Sequence, residues 1–303
     1  DKLSRARTFF LPLRRNAPKI KWCIPSPEEV KSQFGIFLGD PSKTFYPFLV
    51  PKIVESKRME GLSGPISWIR MKSPVIEDLA TAKVFRPRGD IKGTILWLHG
   101  VGLEPEMWSS LVDPVNQLVA RGFCVIQPEG PWHGRRRREG FFGGELVFAR
   151  GLSGFIEFFR SSVIESALWC AWARKFISPR VAVGGISIGT LTSQLLLSSS
   201  NTWPEEMRPD ACLLVTTTND IIDASLKGSL SQRLGLEAAI LAAGWSREQL
   251  LQWRHLIEPT NIPEIPSEKI VILLGAEDTV TPFAGGISLA DKWNIPLKNR
   301  FIQ

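Results

Sequence analysis

The run Val181-Ala182-Val183-Gly184-Gly185-Ile186-Ser187-Ile188-Gly189-Thr190 opens on β-branched residues, the composition of a buried strand, and closes on Gly-x-Ser-x-Gly at Gly185, Ser187 and Gly189. Leu191 to Leu197 then reads as helix. A strand, a sharp turn and a helix place a serine at the apex. Small residues two before and two after Ser187 let the chain turn through a strained conformation without side-chain collisions. The same turn aims the Ile188 N–H and the helix N-terminus at an oxyanion beside Ser187. The pentapeptide alone also occurs in ordinary loops; the flanking strand and helix single this one out.

Working outward, the apolar runs Thr94–Leu98, Phe123–Ile126, Ala211–Val215 and Ile270–Leu274 repeat the theme of Val181–Gly185. Helices are expected between them at about Pro105–Arg121, Phe155–Phe176 (long and amphipathic) and Phe283–Trp293, with Leu297–Ile302 as a last strand. Strands that are apolar throughout and alternate with helices predict an α/β fold: a mostly parallel, doubly wound sheet covered on both faces. Ile66–Met71 and Thr81–Arg86 read as paired edge strands. Residues 221–266 hold a helix at Leu236–Ala243 and a second with the capping-box pattern Ser246-x-x-Gln249. They form either a small helical cap over the site or a plain connecting pair.

Of the formal charge of +7, residues 1–60 carry +6, from twelve Lys/Arg against six Asp/Glu. This segment, broken by prolines and with a helix start at Ser26-Pro27-Glu28-Glu29, reads as a basic N-terminal extension laid on the core; residues 61–303 are the α/β domain. The near-neutral remainder argues against a nucleic-acid-binding body. Residues 2–21, rich in Arg and Lys around Phe9, Phe10, Leu11 and Leu13, are a flexible basic tail or the remnant of a targeting or membrane-surface segment. No run of apolar residues is long enough to span a membrane. Cys23, Cys124, Cys170 and Cys212 form no close pair and are expected as free thiols of an intracellular, cytoplasmic protein. His99, His133 and His255 have no ligand spacing, so neither a metal site nor a cofactor is implied.

Three landmarks now fall in order: His99-Gly100 after a strand, Ser187 in its turn, and Gly275-Ala276-Glu277-Asp278 closing a later strand. In this the chain resembles the α/β-hydrolase superfamily over about residues 66–303. The resemblance implies Ser187 as nucleophile, Asp278 as the acid that orients a histidine base, and the Val101 and Ile188 N–H groups as oxyanion donors. Asp220 and Asp223 are the fallback acids. A narrower resemblance, to the group called α/β-hydrolase domain-containing protein eighteen, rests on Glu129-Gly130-Pro131-Trp132-His133-Gly134-Arg135-Arg136, Gly185–Gly189, Thr260-Asn261-Ile262-Pro263 and Gly275–Asp278. It implies an acyl hydrolase acting on a small-molecule or lipid-like ester.

The family order Ser, Asp, His requires a histidine after the final strand, and none follows Asp278. Either the chain stops short of that histidine, in which case the 303 residues as given are expected to be nearly inactive, or the domain is catalytically inactive and binds a ligand or protein. His133 and His255 are the substitutes within reach. Finally, Arg135-Arg136-Arg137-Arg138 follows a strand and falls at the carboxyl edge of the sheet, where it either binds an acidic group of the substrate, binds an anionic membrane surface, or simply stays solvated.

Overall fold

The computed structural model describes residues 19–40, 43–47, 49–102 and 114–303. Among them ten strands make one sheet: β1 Val54–Glu55, β2 Met59–Glu60, β3 Pro65–Lys72, β4 Leu79–Phe85, β5 Gly93–Leu98, β6 Phe123–Pro128, β7 Val181–Ile186, β8 Ala211–Val215, β9 Ile270–Leu274 and β10 Arg300–Ile302. The order is β1-β3-β4-β6-β5-β7-β8-β9-β10, with β2 also on β3. Pairing is antiparallel from β1 to β6 and parallel from β6 through β10. The architecture is therefore the mostly parallel, helix-flanked sheet expected from the apolar runs. β1 and β2 precede residue 61, so the end of the basic extension is stitched into the sheet.

Alternate strand residues face opposite sides, and both sides are dry. Leu96, Leu98, Cys124 and Ile126 join the large core, whereas Trp97 and Val125 pack with Val115 and Val119 of the helix Val115–Ala120 on the other face. That helix is the described part of the expected Pro105–Arg121 element; residues 105–113 of it, like most of the basic segment 2–21, lie outside the described residues.

We label the helices that frame the site α1 Pro27–Phe34, α2 Gly151–Phe176 and α3 Ile188–Ser199. α1 starts with a capping box between Ser26 and Glu29 and buries Val30 and Phe34, so the N-terminal layer is laid on the core. α2 starts four residues before the expected Phe155, and it is not amphipathic in the ordinary sense: 20 of its 26 residues are buried. Its Gly151 and Gly154 look like breakers, but a Cβ on Gly154 would lie 2.6 Å from the Leu146 and Val147 carbonyls; the start of α2 lies in close backbone contact with the short helix Glu145–Ala149. Residues 221–256 form short helices, including Leu236–Ala242 and the capped Arg247–Gln252. Trp245 Nε1 donates to Pro25 O, tying them to the N-terminal layer. No helix among the described residues is long and apolar enough to cross a membrane. Of the four thiols, three are buried and Cys23 is exposed.

Candidate active site

Ser187 stands between β7 and α3 with φ 53° and ψ −122°. A non-glycine residue in this region is strained and persists only where its surroundings fix it. Here they do. Ser187 N–H donates to Val215 O (3.1 Å), and Ser187 O accepts from Thr190 N–H (2.8 Å). Thr190 Oγ1 also donates to Ser187 O (2.6 Å) and lies 2.7 Å from Thr217 Oγ1, which in turn accepts from Gln194 Nε2 (2.5 Å). These three polar side chains are almost wholly buried. They form a network under the turn that sequence reasoning missed, its signal being the polar run Thr190, Thr192, Ser193, Gln194 on a buried helix.

The two glycines of the motif are required by contact. A Cβ on Gly185 would lie 2.7 Å from Leu98 O, and one on Gly189 would lie 2.3 Å from Leu98 O and 2.9 Å from His99 O. The first turn of α3 therefore rests on the backbone that leaves β5, and the loop His99–Gly102 runs beside Ser187. Val101 and Ile188, the two residues expected to offer N–H groups, are both buried there.

That loop is clasped from the opposite side. His99 Nε2 accepts from Gly130 N–H (2.9 Å), and His133 Nε2 accepts from Gly102 N–H (3.1 Å). Each Nδ1 faces a carbonyl, Gly100 O for His99 and Pro131 O for His133, both at 2.8 Å. An amide can only donate and a carbonyl only accept, so both rings are neutral and carry their proton on Nδ1. Burial lowers the pKa of both; backbone carbonyl hydrogen bonds oppose the shift, and Arg136 adds to it. For His133 the neighbouring His99 also lowers it, and the result is well below the ordinary value.

With both nitrogens engaged, His133 is not a substitute base, and neither is His99. His255 Nε2 lies 3.4 Å from Phe37 O, where the helical segment meets the N-terminal layer. His99 and His133 are thus both held by the loops they clasp rather than presented to Ser187.

Asp278 sits in the turn after β9, half-buried. Its Oδ1 accepts from the Val280 and Thr281 N–H groups (2.9 and 3.0 Å) and its Oδ2 from Thr281 Oγ1 (2.5 Å). Three donors fix the carboxylate in place. β7 pairs with β8 at Ile186↔Val215 and β8 with β9 at Val215↔Leu273, so Ser187 and the Asp278 turn leave the same edge two strands apart, roughly 10 Å between strand axes. β10 ends beside them: Gln303 N–H donates to Leu274 O, and Ala276 N–H donates to Gln303 O. The fallback acids are occupied otherwise. Asp220 caps a helix through Asp223 N–H (2.7 Å) and pairs with Arg254, and Asp223 pairs with Lys227 and Arg247.

The arginine run needs correction. Arg136 is not presented to any substrate: its guanidinium uses all five N–H groups, two on Asp78, two on Glu165 and one on Glu129 O. Burial alone favours losing its proton, but the Glu165 and Asp78 carboxylates outweigh that and hold its pKa above the ordinary value. Arg135 pairs with the buried Glu129 and lies 3.8 Å over the Trp68 ring. Both arginines thus tie the loop after β6 to the fold; Arg136 is not spare for an acidic ligand, whereas the Arg135 side chain remains 48% exposed. Among the described residues no cluster of three or more His, Cys, Asp or Glu is arranged to hold a metal ion.

The model of the alpha/beta hydrolase family matches residues 95–297. Among solved structures, the fold is similar to acetyl xylan esterase 1 from a Thermoanaerobacterium species (TM-score 0.60, 17% identity, 97% of this chain and 90% of that one). It is likewise similar to an acetyl xylan esterase from a Paenibacillus species (0.58, 11%, 97% and 92%). A third similar structure is a thermostable carboxyl esterase from Bacillus coagulans (0.50, 13%, 78% and 88%). No curated protein matches the sequence.

Proposed function

Because the chain belongs to the alpha/beta hydrolase family, we propose that it hydrolyses a carboxylic ester by acyl transfer to Ser187. The observation that carries the reading is the left-handed backbone at Ser187, held at a strand-to-helix turn by glycines that leave no space for a Cβ. Such strain is kept where it exposes a nucleophile. In the proposed reaction Ser187 Oγ attacks the ester carbonyl, and the Val101 and Ile188 N–H groups stabilise the tetrahedral oxyanion. A histidine takes the serine proton and returns it to the leaving alkoxide, and Asp278 holds that histidine in its tautomer.

Since both ring nitrogens of His99 and of His133 are engaged by the loop clasp, neither is that histidine in this reading. The substrate is a small-molecule or lipid-like ester. Arg137 and Arg138, which follow the two structural arginines, are the part of the run left for an anionic membrane surface. Changing both to Gln is expected to weaken binding to anionic vesicles but not to neutral ones.

The test uses the full chain with a fluorophosphonate probe and short-chain nitrophenyl esters. Labelling and turnover are expected where the enzyme has its histidine base, with turnover lower by about 1,000-fold or more in Ser187→Ala. Turnover unaffected by Ser187→Ala would sink the assignment. A second reading, a catalytically inactive domain of this fold that binds a ligand or protein, is favoured by the structural engagement of His99 and His133. It predicts no labelling at all.

A further inference from the structure

We infer that His133 is a positioning residue for ester hydrolysis, its neutral ring holding Gly102 N–H so that the loop His99–Gly102 keeps the Val101 N–H aimed at the carbonyl attacked by Ser187. The inference rests on the hydrolase reading and adds to it a residue that would touch neither substrate nor nucleophile.

Four observations carry it. The clasp is reciprocal: His99, on the loop after β5, accepts from Gly130 on the loop after β6, while His133, on the latter, accepts from Gly102 on the former. The two rings meet edge to face with centroids 4.7 Å apart, so neither moves without the other. His133 is itself seated, with Phe158 of α2 against its ring, Pro131 O on its Nδ1, and Trp132 beside it in a left-handed conformation (φ 63°). Finally, Gly144 leaves room for both partners: a Cβ there would lie 2.3 Å from His133 Nε2 and 3.0 Å from Val101 Cγ2. Val101 is thus packed against the point where the ring holds the loop.

The clasp works only with a neutral ring. An imidazolium carries protons on both nitrogens and would oppose one of them to the Gly102 N–H. The charged or titratable groups around it act in the same direction or are already paired. They are the other histidine; Arg136 from the turn after β6; Glu129, which is bound to Thr81 and Arg135; and Glu165 of α2, which is bound to Arg136. The turn at Ser187 depends on a separate network through Thr190, Thr217 and Gln194. Losing the clasp should therefore disturb oxyanion binding and leave the nucleophile in place.

The experiment compares the full chain with His133→Phe and His133→Gln for nitrophenyl ester hydrolysis, alongside ¹⁵N NMR of the histidine side chains. His133→Phe removes the acceptor, and we expect kcat to fall by about 100-fold, as for loss of one oxyanion donor, with KM within about threefold. His133→Gln offers Oε1 to the same N–H and should recover about tenfold of that loss. In the unsubstituted protein, NMR should show a protonated Nδ1 and an unprotonated, hydrogen-bonded Nε2 for His133 at neutral pH. An unchanged kcat in folded His133→Phe, no recovery in His133→Gln, or a proton on Nε2 overturns the inference while leaving the hydrolase reading intact. If His133→Phe does not fold, the Gln variant and the NMR signature decide. Absence of Ser187-dependent labelling in the unsubstituted protein overturns the hydrolase reading, and the inference falls with it.

Discussion

At Arg136 five hydrogen bonds and two carboxylates neutralise a cation that water cannot reach, its side chain 1% exposed and that of Glu165 4%. An ion pair of this kind adds little over an apolar substitute, but breaking it strands a charge. Arg136→Met is therefore expected to cost about 3–5 kcal/mol, read as a lowered urea midpoint, and adding Glu165→Gln should return part of it. A midpoint within error of the unsubstituted protein would show that the cluster is wetter than its burial indicates. Nothing local in the sequence distinguishes Arg136 from Arg137 or Arg138. Its acceptors, Asp78 and Glu165, lie 58 and 29 residues away, so a run that looks solvated holds one of the most enclosed charges in the chain. Ser187 is the opposite case, because its glycines and flanking elements are contiguous and their meaning can be read off a pentapeptide.

At the level of elements, the turn between β7 and α3 tolerates little. Gly189→Ala would put a methyl 2.3 Å from Leu98 O, against backbone that cannot retreat without moving β5. We expect a loss of about 2 kcal/mol or more in stability, together with loss of fluorophosphonate labelling. Normal labelling would mean that the loop after β5 yields. Ser26→Ala removes a complete capping box at α1 and should cost about 1 kcal/mol without affecting labelling. The parallel strands β5 to β9 were legible because each is built on a continuous apolar run. β1 and β2 were not, since two residues carry no periodicity, and the start of α2 was hidden by glycines that serve close packing. The histidine clasp was equally invisible, for it joins residues 31 apart through backbone amides that no side-chain pattern encodes.

Across the whole molecule, His99 and His133 make stability depend on pH. Their pKa values in the fold lie below the ordinary 6.5, so the unfolded chain binds these protons first as pH falls. Their contribution is fully present above about pH 6.5 and is lost as pH drops toward the folded-state values. The slope is at most about 1.4 kcal/mol per pH unit for each ring. The urea midpoint should be flat above neutrality and decline below about 6.5, with a shallower decline in His133→Gln. A midpoint flat to pH 5 would show that these rings are not neutral acceptors.

The near-complete burial of α2 bears on how the molecule opens. A helix enclosed along most of its length has no solvated face from which its amides can exchange by fraying, so its central hydrogens should exchange only through global unfolding. The short helices of residues 221–256, with more of their surface in water, should exchange through smaller openings. Deuterium uptake should therefore divide the chain into a slow unit around α2 and a faster unit that breathes while the turn at Ser187 stays closed.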